Sequence, residues 1–425
     1  MLDIKKLRES PSKCEELLKR KSPEVSLERV LDLDEKIRAL KTRTETLKAK
    51  RNVTSKEIGK RKQEGLNADD IVKEAADISA EIHAIDHELH KLEELYAHEM
   101  ALLPNIPMED VPVSQDPKDN LVVKEFKEKP VFDFAPKNHL ELNADLGIFD
   151  FERAGKIAGS GFPIYRGVGA MLEWALIRYM LKTHVKHGFE PWILPALVRP
   201  ETMYDSGQLP KFENQQFGIH DPDYNLYLIP TAEVPLNGLH AGEILDEEDL
   251  PLRYVAYTPC FRREAGAAGE KERGLIRTHQ FNKVEMFVFC KPEASVSMLD
   301  SMIVSAEEIL QGLDLHYRRV LLVTGDMSFA STRTVDLEVW LPGQDRYYEV
   351  SSLSNCHDFQ ARRSKIRFRK KGEKPEVVHT LNGSGLATSR LMVALLENNQ
   401  QPDGSVIVPQ VLRDELGGID RICPR

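Results

Sequence analysis

The residues best suited to binding a charged ligand are concentrated between positions 257 and 285. Phe261-Arg262-Arg263-Glu264 precedes a polar, glycine-bearing loop, and Arg277-Thr278-His279-Gln280-Phe281 follows it. The pattern predicts two strands joined by a loop, and alternation along the first strand places Arg262 and Glu264 on one face. That face could bind a nucleotide, because arginine donates paired hydrogen bonds to phosphate and a carboxylate accepts one from a base amine. As an isolated pair, the two side chains would more often form a surface salt bridge.

Two later segments contain residues of the same chemical types. Glu349-Val350-Ser351-Ser352 closes a predicted strand, and 383–390 is a glycine-bearing turn that leads into a helix with Arg390. Single residues of these kinds usually have plainer roles, since a strand-end glutamate is often solvated and a lone Thr231 or Ser384 commonly caps a turn. The order and spacing of the segments are therefore more informative than any one residue.

The elements that must position these residues show both strand and helix patterns. Strands are predicted at 254–262, 280–289, 320–323, 335–340 and 346–351. Helices are predicted at 169–187 and at about 294–313 and 387–398. Because strands adjacent in sequence are not each followed by a helix, the pattern favours an α+β fold with an antiparallel sheet flanked by helices.

The first hundred residues have the pattern of a coiled coil. Seam positions alternate three and four residues apart from Val30 to Ile58, and the same spacing returns from Ile71 to Tyr96 after Gly65-Leu66-Asn67. This predicts an antiparallel helical hairpin, with a first helix over 27–62 that is roughly 50 Å long at 1.5 Å per residue. A proline-rich stretch begins at Pro104, so we predict a helical arm over 1–108 and a second domain over 109–425.

Charge is distributed unevenly over the predicted hairpin. Residues 36–62 include eleven basic and two acidic side chains, whereas 69–99 include ten acidic and two basic ones. The net charge of −10 argues against nucleic-acid binding by the whole surface, but the basic helix could bind RNA phosphates. Several basic residues would instead pair with the acidic second helix, as charged helix faces commonly do. The candidates for RNA contact are Lys41, Arg43, Lys48, Lys50, Arg51, Lys60, Arg61 and Lys62.

Composition argues against several other kinds of protein. No segment approaches the roughly 18 apolar residues of a membrane span, and the start lacks the apolar region of a secretory signal, so a cytoplasmic location is expected. The five cysteines include no Cys-x-x-Cys pair, which argues against a disulfide framework and a zinc knuckle. They are Cys14, Cys260, Cys290, Cys356 and Cys423.

Three of the segments together resemble the signature motifs of class II aminoacyl-tRNA synthetases. The second motif of that family reads F-R-x-E, a variable loop and R-x-x-x-F, which 261–264 and 277–281 match. The third is a glycine-rich turn into a helix with an arginine, which 383–390 match, and the first resembles the helix ending at His187 with 188–195. With the hairpin, Thr231-Ala232-Glu233 and 382–387, the full chain resembles the bacterial-type seryl-tRNA synthetases.

The resemblance implies activation of L-serine with ATP to seryl-adenylate and pyrophosphate, followed by transfer of serine to tRNA(Ser); it leaves open whether tRNA(Sec) is also charged. The implied serine site consists of Thr231, Ala232, Glu233, Arg262, Glu285 and Ser384. The implied ATP site consists of Arg262, Arg263, Glu264, Arg277, Thr278, Phe281, Glu349, Val350, Ser351, Ser352 and Arg390. Glu349 and Ser352 are the implied magnesium ligands, no zinc is expected, and the family's contact through its first motif implies a homodimer.

Two other functions would fit part of the sequence. A class II synthetase for another small amino acid, such as threonine, would share the catalytic fold, although the zinc-binding Cys and His set of threonyl enzymes is not evident. A non-catalytic, RNA-binding paralogue would not need Arg262, Glu264, Glu349 and Arg390 together. The chain departs from the family pattern at Ser389, where glycine is usual, and in the highly charged loop over 267–272.

Overall fold

The computed structural model describes residues 1–265 and 273–425, so the charged loop over 267–272 lies outside the described residues. These residues form two compact units. One unit comprises Asp3–Glu16 and Glu24–Leu103, and the other comprises Met1–Leu2, Leu17–Pro23 and Pro104–Arg425. In the part of the chain that the structure describes, no helix is both long and apolar enough to cross a membrane.

Helices and strands alternate irregularly along the described chain. The α-helices are α1 (Ile4–Glu9), α2 (Pro11–Lys19), α3 (Glu28–Gln63), α4 (Asp69–Leu102), α5 (His139–Leu146), α6 (Phe151–Ala158), α7 (Val168–Lys186), α8 (Pro200–Ser206), α9 (Glu233–Gly238), α10 (Ser295–Gly312), α11 (Phe359–Ser364), α12 (Thr388–Asn398) and α13 (Gln410–Arg413). The strands are β1 (Leu121–Phe126), β2 (Glu190–Trp192), β3 (Leu197–Val198), β4 (Tyr227–Leu228), β5 (Ile244–Asp246), β6 (Leu252–Phe261), β7 (Gln280–Cys290), β8 (Tyr317–Leu321), β9 (Arg333–Leu341), β10 (Arg346–His357), β11 (Arg367–Arg369), β12 (Glu376–Val377), β13 (His379–Ala387), β14 (Val406–Ile407) and β15 (Arg421–Ile422).

The smaller unit is built on the long helices α3 and α4, which pack against each other. Ile37 of α3 forms a small apolar core with Ile85 and Leu89 of α4. Every predicted seam position of α3 is buried or partly buried, namely Val30, Leu33, Ile37, Leu40, Thr44, Leu47, Arg51, Thr54 and Ile58. The predicted coiled-coil hairpin is therefore confirmed, and its polar seam residues lie where the spacing places them.

The larger unit is built on one eight-stranded sheet. Its strand order is β1-β8-β9-β10-β13-β7-β6-β2, and neighbouring strands are antiparallel except for β2 and β6, which are parallel. This confirms the expected α+β fold.

The structure adds β13 where the sequence suggested only a glycine-bearing turn. Gly383 pairs there with Met286 and Leu353, and a side chain at Gly383 would come within 2.9 Å of the Leu353 side chain and force it to shift, which favours glycine at this place.

Alternation along β7 separates a face that is apolar from Val284 onward from a face that is polar at Lys283 and Glu285 and apolar at Phe287 and Phe289. Val284, Met286 and Val288 belong to the large apolar core that includes residues of α7, α10 and α12. Lys283 and Glu285 have the opposite parity and therefore point to the other face. That face carries the polar side chains of the candidate site.

Candidate active site

The pairing of β6 with β7 brings together the first group of predicted nucleotide-binding residues. Strand β6 ends at Phe261, one residue earlier than predicted, but the Arg262 backbone N–H still donates to the His279 carbonyl at 2.9 Å. Glu264 takes a left-handed conformation with φ of 48°, so strand alternation alone does not set its direction. Its carboxylate accepts from Arg277 Nε at 2.7 Å. The Arg262 guanidinium lies over the ring of Phe281, 5.2 Å from its centroid.

Arg390, near the start of α12, joins two other segments of the cleft. Its Nη1 donates to the backbone carbonyl of Glu349 at 2.8 Å and lies 3.4 Å from the carboxylate of the same residue. Its Nε donates to the carbonyl of Ile276 at 3.2 Å. One arginine therefore fixes the spacing between β10 and the segment that returns to β7. The neighbouring Ser389, where the family usually has glycine, is buried and lines the same cavity.

A β-bulge in β10 places the two predicted magnesium ligands on one face. Residues three apart on a regular strand point to opposite faces. The register between β9 and β10 shifts between Glu349 and Ser351, so Glu349 is opposite Glu338 and Ser352 is opposite Asp336. The extra residue turns both Glu349 and Ser352 into the same cavity.

A buried polar cluster forms the other end of the cleft. Lys283 Nζ donates to Thr231 Oγ1 at 2.7 Å and lies 2.6 Å from Glu285 Oε2. Ser384 Oγ donates to the same carboxylate oxygen at 3.3 Å. Lys283 and Glu285 are 5 % and 2 % exposed, so their charges are removed from bulk water and depend on each other. The cluster offers a carboxylate, a hydroxyl and an amine within one small pocket.

Glu233 adds a second carboxylate to this cluster. Its Oε1 accepts from Gln360 Nε2 at 2.6 Å and from Asn382 Nδ2 at 3.1 Å. Burial raises the pKa of Glu233 to about 7, the negative charge of Glu285 adds to the rise, and the charge of Lys283 partly offsets it. The side chain can therefore change its charge near neutral pH.

Most of the predicted site residues line two cavities that share walls. The larger has a volume of about 520 Å³ and the smaller about 90 Å³. Both are lined by Arg262, Glu264, Arg277, Lys283, Glu349 and Ser384, so they form one cleft. The larger is also lined by Thr231, Glu233, Glu285 and Ser352, and the smaller by Thr278, Phe281, Val350 and Arg390.

The structure places three of the predicted residues away from the cleft. The side chain of Ala232 belongs to an apolar cluster with Leu236. Ser351 is buried and its hydroxyl donates to the Ser384 carbonyl. Arg263 is exposed, and its backbone N–H donates to the Gln215 carbonyl at 3.0 Å. None of the three presents its side chain to the cleft.

Sequence reasoning gave no role to three residues that contact the predicted ones. Lys283 could have been found, because it lies two positions before Glu285 and so shares its face of β7. Asn382 could also have been found, because it lies next to Gly383 in the segment 382–387 that resembles the family. No sequence pattern pointed to Gln360, because only the fold brings α11 close to Glu233.

The basic residues of α3 fall into two groups within the helical hairpin. Four of them form ion pairs, and the pairs are Lys41 with Glu93 at 2.7 Å, Arg43 with Glu81 at 2.5 Å, Lys50 with Glu74 at 2.7 Å and Arg61 with Asp70 at 3.3 Å. Lys48, Lys60 and Lys62 are exposed, and Arg51 is half-buried in the seam. The expectation that several candidates would pair with the acidic helix is confirmed.

An antiparallel sheet that carries Arg262, Glu264 and Phe281 on one hairpin, with Arg390 on a following helix, defines a class II aminoacyl-tRNA synthetase. The family model of the class II tRNA synthetase core domain (G, H, P, S and T) matches residues 212–399, and that of the seryl-tRNA synthetase N-terminal domain matches residues 1–107. The chain belongs to the seryl-tRNA synthetase family and is an aminoacyl-tRNA synthetase enzyme.

Individual relatives match over the full length of the chain. The serine–tRNA ligase of Chlamydia pneumoniae is 51 % identical over 429 residues and covers 100 % of both chains. Among solved structures, seryl-tRNA synthetase from Pyrococcus horikoshii complexed with ATP has a TM-score of 0.92 at 38 % identity, with 100 % of both chains covered. The cytoplasmic serine–tRNA ligase from Naegleria fowleri in complex with AMP has a TM-score of 0.88 at 29 % identity, covering 100 % of this chain and 99 % of that one.

Proposed function

We propose that the cleft activates serine with ATP and that the helical hairpin over 1–108 binds the tRNA that receives the serine. The observation that carries this proposal is the continuity of the cleft. A pocket with the carboxylates of Glu233 and Glu285 and two hydroxyls, suited to a small compound with an ammonium and a hydroxyl group, opens directly onto a wall of three arginines and a phenylalanine. The relatives that bind ATP and AMP support a nucleotide at that wall.

In the first step the serine carboxylate attacks the α-phosphorus of ATP and pyrophosphate leaves. The carboxylate is already ionised at neutral pH, so the step requires no general base. The chain must hold the two substrates in line and neutralise the charge that develops on the phosphate oxygens. Arg262 is suited to this because it lines both cavities and its guanidinium can bridge the serine carboxylate and the α-phosphate.

The remaining nucleotide contacts follow from side-chain chemistry. We assign Phe281 to stacking on the adenine and Glu264 to accepting a hydrogen bond from its amine. Arg277 and Arg390 bind the γ-phosphate, which a planar guanidinium can contact through two hydrogen bonds. The ion pairs that these arginines form with Glu264 and Glu349 fix their positions for the nucleotide.

Glu349 and Ser352 have the chemistry of a magnesium site. Both offer oxygen, the donor that this cation prefers, and magnesium commonly takes only one or two protein ligands beside substrate phosphates and water. The Glu349 side chain is 44 % exposed within the cavity, which leaves its carboxylate accessible. Bound there, magnesium would neutralise phosphate charge. Across the residues that the structure describes, no group of three or more His, Cys, Asp or Glu side chains is arranged to hold a metal.

The buried polar cluster suits serine more than its near relatives. Glu233 and Thr231 would bind the ammonium group, while Glu285 and Ser384 would bind the hydroxyl. Alanine offers no hydroxyl to Glu285 and Ser384, and a site built around a substrate hydroxyl can reject the analogue without it by roughly 10⁴-fold. Threonine would have to be excluded by the size of the pocket, because it retains the hydroxyl.

Serine binding should depend on pH through Glu233. The carboxylate attracts an ammonium only when it is ionised, and its pKa is about 7, so the attraction is present above pH 7 and lost below it. We expect serine affinity to be roughly tenfold weaker at pH 6 than at pH 8, in proportion to the ionised fraction. Measurement of the KM for serine in pyrophosphate exchange across this range checks the expectation. The Glu233→Gln variant should bind serine weakly at every pH and lose the slope, and an unchanged slope would assign it to another group.

In the second step the terminal ribose of tRNA attacks the seryl-adenylate, and the hairpin should determine which tRNA is held. Reversing the charge of exposed basic residues, as in Lys48→Glu with Lys62→Glu, should weaken tRNA binding and charging by roughly tenfold at moderate salt because phosphate contacts are lost. Pyrophosphate exchange without tRNA should not change. The control is Lys41→Ala with Lys50→Ala, which removes two basic residues of the same helix that are already paired to α4 and should leave charging nearly unchanged. Equal loss of charging in both double variants, or loss of exchange, would contradict the assignment of the exposed residues.

The proposal includes a homodimer located in the cytoplasm. Helix α7 and the segment after β2 present several large apolar side chains to solvent, and such side chains commonly mark a protein interface. Trp174 is 57 % exposed and Ile193 is 100 % exposed. Sedimentation equilibrium at twice 48.3 kDa would support the dimer, and a mass of one chain would contradict it.

A further inference from the structure

Glu397, on the last turn of α12, is a fully buried carboxylate that joins two other segments. Its Oε2 accepts from the Gly343 backbone N–H at 3.0 Å. Its Oε1 accepts from Gln344 Nε2 at 2.9 Å and from the His139 backbone N–H at 3.0 Å. A buried carboxylate is stabilised only when donors of this kind surround it, so Glu397 holds the turn between β9 and β10 and the start of α5 in fixed places.

His139 extends this arrangement to the segment that returns to β7. Its Nδ1 lies 3.4 Å from Glu397 Oε1, and its Nε2 accepts from the Leu275 backbone N–H at 3.2 Å. A ring nitrogen that accepts a hydrogen bond carries no proton, so the neutral ring holds its proton on Nδ1, beside the carboxylate. His139 is 2 % exposed and Leu275 is fully buried, so water cannot replace this acceptor.

The segments attached to Glu397 and His139 carry the residues assigned to the ATP polyphosphate. Leu275 lies two residues before Arg277. The turn with Gly343 and Gln344 leads into β10, which carries Glu349. The same helix α12 begins near Arg390, whose guanidinium bonds to the carbonyls of Ile276 and Glu349. Both ends of α12 are therefore tied to the same two segments.

Close contacts at two glycines support a fixed spacing between these segments and the start of α5. A Cβ at Gly274, where φ is +70°, would lie 2.3 Å from His139 Nε2. A Cβ at Gly343 would lie 2.4 Å from the Lys137 carbonyl. Only glycine permits approaches of this kind, so neither segment can shift toward α5 to compensate for a lost hydrogen bond.

We propose that Glu397 and His139 are positioning residues that fix the distances among Arg277, Glu349 and Arg390, and so determine affinity for ATP without touching it. This inference rests on the proposed function, because it takes those three residues to bind the polyphosphate. It predicts an effect on ATP alone, since the serine pocket is held by other contacts, among them those of Gln360 and Asn382 with Glu233.

The test compares His139→Gln with His139→Leu in serine-dependent pyrophosphate exchange. A glutamine amide oxygen can reach the place of Nε2 and accept from Leu275, whereas leucine offers no acceptor. His139→Leu should raise the KM for ATP roughly tenfold, the effect of an unpaired buried donor, while the KM for serine stays within about twofold. His139→Gln should restore most of the affinity. Gln344→Leu removes one donor at a partly exposed position and should raise the KM for ATP in the same direction if His139→Leu fails to fold.

Two controls distinguish a positioning role from a general loss of stability and from a failure of the proposed nucleotide site. Glu307→Gln alters another buried carboxylate, bound to Lys124 and Arg319, and should lower the Tm without changing the KM for ATP. Arg390→Ala should raise that KM. If Arg390→Ala has no effect, the proposed nucleotide site is wrong. If Arg390→Ala raises the KM but His139→Leu and Gln344→Leu do not, or if glutamine and leucine at 139 are equally impaired, the positioning role is wrong.

Discussion

Replacing Arg262 by alanine should reduce serine-dependent pyrophosphate exchange by roughly 10³-fold, the upper range for removal of one preorganised donor from a reacting centre. Arg262 lines both cavities, and its guanidinium is held between the Phe281 ring and the Pro230 carbonyl. We therefore infer that it lies where the serine carboxylate and the α-phosphate meet. Most of the loss should appear in kcat, because the charge that Arg262 neutralises grows in the transition state.

Two further variants make this result specific. Arg262→Lys keeps the charge but loses the planar fork, and should recover only a small part of the activity. Arg421→Ala removes an arginine that pairs with Asp403 at the surface, and should leave exchange unchanged. Exchange by Arg262→Ala within tenfold of the parent enzyme would remove Arg262 from the reacting centre.

The second large effect is expected at Glu285. Glu285→Gln should raise the KM for serine by roughly 100-fold and reduce the preference for serine over alanine, because the charged acceptor for the substrate hydroxyl is lost. Parallel exchange assays with serine and alanine measure both quantities. The variant should also be less stable by about 3–5 kcal/mol, since Lys283 then remains buried without its counter-charge.

A double variant separates recognition from stability. Lys283→Met with Glu285→Gln removes the charge that Glu285→Gln leaves unpaired, so the free energy of unfolding should recover in large part. Serine recognition should stay impaired, because the hydroxyl acceptor is still missing. Recovery of the KM for serine in the double variant would show that Glu285 acts only by balancing Lys283.

Local patterns were sufficient to predict the hairpin and the residues of the second motif. The seam of α3 is specified by positions three and four apart, and every one of them is buried or partly buried. Arg262 and Glu264 directly follow β6, and Arg277 and Phe281 lie just before and at the start of β7, so the antiparallel pairing of two strands that are neighbours in sequence brings them close. In both cases the residues that must come together are close to one another in the sequence.

Other parts of the cleft depend on contacts that no local pattern specifies. Glu349 and Ser352 share a face only because of the bulge in β10, and regular alternation would have separated them. Glu264 reaches Arg277 through a left-handed backbone conformation rather than through strand geometry. Gln360 and His139 act through partners more than a hundred residues away, so only the folded sheet and its helices bring them into contact.

The most direct test of the central claim is pyrophosphate exchange by the purified protein with serine, alanine or threonine as the only amino acid, with and without magnesium. Serine-dependent exchange that requires magnesium, with alanine and threonine at least roughly 10³-fold less effective, would establish that this cleft activates serine. Exchange driven by threonine instead, or by none of the three in a folded protein, would contradict the assignment of the pocket.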